Sequence, residues 1–177
     1  MKTQLFVILF LTCILSLTAS GQSDDEDFSA GLGAGLDYGG IGINLSFFPM
    51  EHVGFFGSVG YAFAGMGTSG GIQFRTNFDK STSSYRFYFT GMYGYQSAIL
   101  IWDAREHNRL FYGLSIGAGM NIMFFKNSRS FLSFGLVVPF RNPDYQNYVD
   151  NLFSKYGIET ITKPSVVNTS IGYHFIF

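Results

Sequence analysis

Chemistry in this 177-residue chain would have to come from three histidines, one cysteine, 12 carboxylates and 11 lysines or arginines. Nucleophilic catalysis needs a nucleophile, a base and an orienting group within hydrogen-bond reach. His52, His107 and His174 are followed two residues on by Gly54, Arg109 and Ile176, so none starts a His-x-Ser pair. They also lack the mutual spacing of a metal site. Gly31-Leu-Gly-Ala-Gly35 has the look of a nucleotide loop, but such a loop needs a strand before it and a helix after it. Here the glycines recur at every second residue, as they do again at Gly117 and Gly119, which is a strand habit. Asn44-Leu-Ser46 and Asn168-Thr-Ser170 match the glycosylation pattern but also fall in strand-like stretches, and we discount both. In Ser23-Asp-Asp-Glu-Asp27 the oxygen spacing fits no cation loop, and a solvated acidic leader is the simpler reading. No catalytic residue, metal site or cofactor is expected. Asp37, Arg75, Arg86 and His174 fall in register on one polar face. They could form a gate or a catalytic cluster. A paired polar network inside the fold is the plainer reading, because buried charges persist only when paired.

The composition narrows what could position these residues. The chain is 47% hydrophobic and 19% aromatic but only 13% charged, against roughly 25% charged in an ordinary soluble domain. So apolar a chain is not disordered. A net charge of −1 leaves no basic footprint for nucleic acid. The longest strongly apolar run, Leu5 to Leu17, is short of the roughly 20 residues of a spanning helix. With Lys2 before it and Ala19-Ser-Gly21 after it, that run reads as the core of a cleaved secretory signal over 1–21. Cys13 lies inside the signal, and Thr12 stands where a lipoprotein site has a small residue. An exported chain without cysteine must be stabilised by something other than disulfides. The expected organisation is a signal at 1–21, an acidic periplasmic leader at 22–27 and one domain over 28–177.

From Phe28 onward the pattern has period two. Eight strands are expected at about 28–38, 41–48, 53–64, 71–78, 85–98, 110–125, 131–139 and 166–177. One face is apolar and uncharged, running from Phe28, Leu32, Leu36 and Tyr38 through Phe55, Phe74, Phe89 and Leu114 to Phe134, Tyr173 and Phe177. The other is small and polar, with Gly31, Gly33, Asn44, Ser46, Ser115, Asn121, Ser170 and His174. Eight strands closed into a barrel leave an interior barely wide enough for side chains. The aromatic face cannot fit there, so it must point outward, and an outward apolar face of that size belongs in lipid. Ten tilted residues rise roughly 25 Å, the height of an outer-membrane apolar band, and closure leaves no unpaired edge. With both termini periplasmic, the short connections 49–52, 79–84 and 126–129 fall inside and the long ones, 99–109 and 140–165, outside. The fold expected is all-β, an eight-stranded antiparallel transmembrane barrel; ten strands is the variant if 158–162 pairs. In the last extracellular loop, apolar residues at 145, 148, 149, 152, 153 and 156 have helical spacing between Pro143 and Gly157. A short amphipathic helix is expected there.

The chain ends Ser170-Ile-Gly-Tyr-His-Phe-Ile-Phe177, which resembles the carboxy-terminal signal of bacterial outer-membrane proteins through Ser170, Gly172, Phe175 and Phe177. The resemblance implies that barrel-assembly machinery reads the last strand. In architecture the chain resembles the small OmpA/OmpX-type barrels. Its glycine- and aromatic-rich style is similar to the outer membrane protein β-barrel domain group that includes PorT-like proteins. That likeness implies residence in the cell outer membrane, in contact with its lipid. Lipid A deacylases and palmitoyltransferases share such scaffolds, but the deacylase-like His-x-Ser is absent. A soluble lipocalin-like barrel would show the opposite faces and an early strand Trp. The expected function is therefore non-enzymatic, structural or interaction-mediating, with contacts to an extracellular or envelope protein through the outer loops. Trp102, Tyr145, Tyr148, Leu152, Phe153 and Tyr156 are the contact candidates. The runner-up is a small pore, or a binding cavity for a small molecule, hydrophobic ones included.

Overall fold

The computed structural model describes residues 28–76, 84–99, 108–123, 129–140 and 165–177, together with 145, 147, 148, 150, 151 and 154. The signal and the acidic leader lie outside these residues, as do Trp102, His107, Leu152, Phe153, Tyr156 and the 158–162 stretch. Eight antiparallel strands close into a barrel in chain order. They are β1 (Phe28–Gly35), β2 (Gly40–Met50), β3 (Val53–Tyr61), β4 (Met66–Arg75), β5 (Tyr85–Ile99), β6 (Arg109–Met123), β7 (Ser130–Pro139) and β8 (Asn168–Ile176). β8 returns to β1 with Ala34 opposite Ile171 and Ser29 opposite Ile176. Phe177 N–H donates to the Phe28 carbonyl, which holds both ends of the barrel together at what we call the base. The opposite end is the rim.

Alternation decides the two faces. Leu32, Phe55, Phe74, Phe89, Leu114, Leu136 and Phe175 are exposed on the outside, while Ser46, Ser69, Ser115, Asn121, Ser170 and His174 are buried inside. A soluble barrel has the reverse arrangement. A surface this apolar all the way round is compatible with hydrocarbon rather than water. A charge at its midplane would cost about 2–4 kcal/mol, and among the described residues the apolar exterior of the strands carries none at mid-height.

Several boundaries shift from the sequence expectation, β2 running to Met50, β3 ending at Tyr61 and β8 beginning at Asn168, and two shifts have a clear physical reason. β4 begins at Met66 rather than 71, because Met66-Gly-Thr-Ser-Gly-Gly71 pairs with β3 from Tyr61 onward although its glycines hide the alternation. β1 stops at Gly35 rather than running to 38. Leu36–Tyr38 form a single 3₁₀ turn closed by Gly39 in the left-handed region at φ 66°. A Cβ on Gly39 would strike the backbone of Gly67, so only glycine serves. The turn folds into the barrel. Leu36 and Tyr38, expected on the lipid face, are therefore corrected to interior residues, 5% and 1% exposed.

The strands are uneven in length. β5 and β6 have 15 residues each, and the others have between 8 and 11. The rim ends of β5 and β6 therefore pair with each other beyond their pairing with β4 and β7.

Candidate functional site

The interior of the barrel is where the polar residues converge, and the inward turn dominates it. Leu36 packs with Met92 and Val137, with Phe56 and Tyr95 beside them. Ser69 donates its hydroxyl to the Leu36 carbonyl at 2.6 Å, and Asn44 donates its amide to the Asp37 carbonyl at 2.8 Å. The Tyr38 hydroxyl meets Nε2 of His174 at 2.6 Å, and Phe131 stacks on a face of that imidazole at 4.7 Å. The Ser170 hydroxyl donates to Oδ2 of Asp37 at 3.2 Å. A four-residue connection thus grips β2, β4 and β8 at once.

Glycines make that possible. A Cβ at Gly33 or Gly172 would enter the Tyr38 ring, one at Gly31 would enter the His174 imidazole, and one at Gly119 would enter the Tyr88 ring. The glycine-every-second-residue pattern of β1 is a mould for Tyr38 and His174. Deeper in the lumen, Tyr88 shares a hydrogen bond with Ser133 at 3.2 Å. Nearer the rim, Gln96 sits at the β5 bulge and reaches the carbonyls of Leu114 and Phe140 at 2.6 and 3.1 Å.

Among the described residues the interior holds a cavity of about 30 Å³. Asp37, Arg75, Arg86 and His174 all line it, with Tyr38, Asn44, Phe48, Tyr88, Asn121 and Phe131 among their neighbours. Apart from Asp37 and Tyr38 of the turn and Asn44 near the middle of β2, the wall residues named lie in the base half of their strands, beneath the turn. The pairing pattern differs from the one expected. Asp37 takes the Ser170 hydroxyl rather than an arginine, while Arg75 donates from Nε to the Glu51 carbonyl at 2.7 Å and lies 4.0 Å over the Phe48 ring. Arg86 lines the same cavity, and its ion-pairing with Asp37 is likewise not part of the arrangement.

Sequence reasoning missed Leu36, Tyr38, Phe48 and Phe131 as interior residues. A signal for the first two was available: Gly35 and Gly39-Gly40 bracket Leu-Asp-Tyr as turn punctuation. Phe48 and Phe131 were legible too, since alternation from inward Ser46 and outward Phe134 puts both on the inner face.

The terminal motif divides between the faces. Ser170 and Gly172 point inward, to Asp37 and Tyr38, whereas Phe175 and Phe177 are exposed. At the rim, Tyr145 and Tyr148 place their rings 5.1 and 5.8 Å from Phe111, a buried interior residue of β6. The Arg109 guanidinium lies 5.0 Å over Tyr148. Tyr145, Asn147, Tyr148, Asp150, Asn151 and Ser154 have helical backbone; the other residues of the expected helix lie outside the described ones, so the helix as an element is not established.

Chemically, this interior is a packed, partly polar filling. The His174 imidazole faces a tyrosine hydroxyl and a phenyl ring, and its arrangement with Tyr38 contains no serine to activate. Among the described residues no group of three His, Cys, Asp or Glu side chains could hold a metal ion.

No family model matches the chain, so the likeness to the PorT-like group is not confirmed, and no curated protein matches it either. Among solved structures it is similar to the crystal structure of the N-terminal β-barrel domain of Pseudomonas aeruginosa OprF. The likeness has a TM-score of 0.46 and 13% identity, and covers 85% of this chain and 95% of that one. At that level the functional reading has to rest on the barrel's own geometry.

Proposed function

We propose that this chain is an exported, non-enzymatic protein of the bacterial outer membrane, structural or interaction-mediating, that makes its contacts through the loops at its rim. One observation carries the reading. A barrel with an apolar exterior has its own first connection, Leu36–Tyr38, folded into the lumen, with a cavity of about 30 Å³ beneath it. A lumen crossed by its own chain, with a cavity too small for an organic ligand, weighs against the pore and the binding-cavity readings. The base is then periplasmic and the rim extracellular, as the long 140–167 connection favours.

The partners follow from the surfaces. The outward residues would contact outer-membrane lipid, and Ser170, Gly172, Phe175 and Phe177 would be read by the barrel-assembly machinery. The long β5–β6 hairpin and the aromatic face of the last loop would meet an extracellular or envelope protein. The Tyr145 and Tyr148 contacts with Phe111 support a loop anchored over the mouth, from which its remaining side chains can be presented.

Membrane fractionation and gel migration with and without heating test the proposal. The expected product pellets with the outer membrane and changes migration when boiled. A soluble product with no heat shift would overturn it.

A further inference from the structure

The cavity under the inward turn gathers the polar atoms that the protein leaves unmatched. Among the buried side-chain nitrogens and oxygens of the described residues, three have no hydrogen-bond partner: Oδ1 of Asp37, Oδ1 of Asn121 and Nδ1 of His174. They come from the turn, β6 and β8, yet all three residues line the same cavity. Asn121 and His174 are 8% and 5% exposed, so bulk water does not serve them. Native interiors rarely leave such groups unsatisfied. A polar cavity needs about 10–15 Å³ to hold one water; this one has about 30 Å³, enough for one or two.

We propose that the cavity is an internal binding site for one or two water molecules that bridge Asp37, Asn121 and His174. The occupant thereby ties the inward turn to the barrel wall. The donor and acceptor roles select water. Oδ1 of Asp37 and Oδ1 of Asn121 are acceptors, and water supplies two protons. When the Tyr38 hydroxyl donates to Nε2, Nδ1 of His174 carries the ring proton and gives it to a water lone pair; in the other tautomer Nδ1 accepts. Water meets both cases. An anion would face two acceptors, and a metal ion would face an N–H in the first tautomer. Asp37 is then held through Ser170 on one oxygen and through water on the other, while its backbone is held by Asn44.

The test is water-selective NOE spectroscopy on the folded barrel in detergent micelles. The expected result is a slow-tumbling water cross-peak to the Asn121 side-chain amide and to the His174 ring. In Asn121→Leu, which fills the cavity and removes one acceptor, the cross-peak at His174 should vanish while the heat shift stays. If that variant does not fold, Asn121→Ser, which enlarges the cavity, should keep the His174 cross-peak. The proposal is overturned by an absent cross-peak in the parent, by one unchanged in Asn121→Leu, or by one lost in a folded Asn121→Ser. A His174 resonance that moves when sodium is exchanged for tetramethylammonium would assign the site to a cation and overturn it equally.

Discussion

Tyr38 is the residue on which the interior turns. Its hydroxyl and the His174 imidazole satisfy each other in a buried place, so Tyr38→Phe strands a ring nitrogen and should cost about 1–3 kcal/mol. The urea midpoint of the heat-modifiable species measures this, and an unchanged midpoint would deny the bond. Gly172 presents a sharper case, because its identity has two explanations: part of an assembly signal, or space for the Tyr38 ring. Gly172→Ala should cost about 1–3 kcal/mol by overpacking. If packing is the cause, the same change in a Tyr38→Ala background should cost far less, because contacting residues couple. A defect that persists undiminished in the double variant would assign Gly172 to the signal instead. Gly57 faces outward with nothing near it, and Gly57→Ala should be tolerated.

Among the elements, the inward turn departs most from what the sequence pattern predicts. Leu36 continues the outward phase of Phe28 and Leu32, so alternation alone places it in lipid. The turn overrides alternation because Gly35 and Gly39-Gly40 release the backbone on either side of it. Leu36→Ala should therefore open a cavity against Met92 and Val137 and cost about 2–5 kcal/mol, whereas Leu114→Ala, on the exposed face, should lose less because lipid refills the space. Equal losses in the urea midpoint would return Leu36 to the outside. The strands were legible elsewhere because the two faces differ along most of their length, as in Ile43-Asn44-Leu45-Ser46. The start of β4 was not, since a glycine pairs across a ladder without declaring a face. The roles of Asp37, Arg75, Arg86 and His174 were legible only as a shared face. Which of them touch depends on the turn, and no strand periodicity reports where a turn goes. At the last strand, deleting Phe177 should reduce membrane accumulation through loss of the terminal signal, while Phe134→Leu should not. Equal accumulation of the deletion and the parent would argue against the motif.

The whole molecule joins two features that act together: an apolar exterior suited to hydrocarbon, and an interior into which its own chain folds. The first underlies the proposed membrane barrel, and the second the proposal that its lumen is closed. Inserting the purified, heat-modifiable protein into a planar lipid bilayer and recording current examines both. The account predicts that inserted barrels carry no steady conductance, because Leu36, Tyr38 and their partners occupy the lumen and leave a cavity of only about 30 Å³. A steady open channel in the unmodified protein would contradict it.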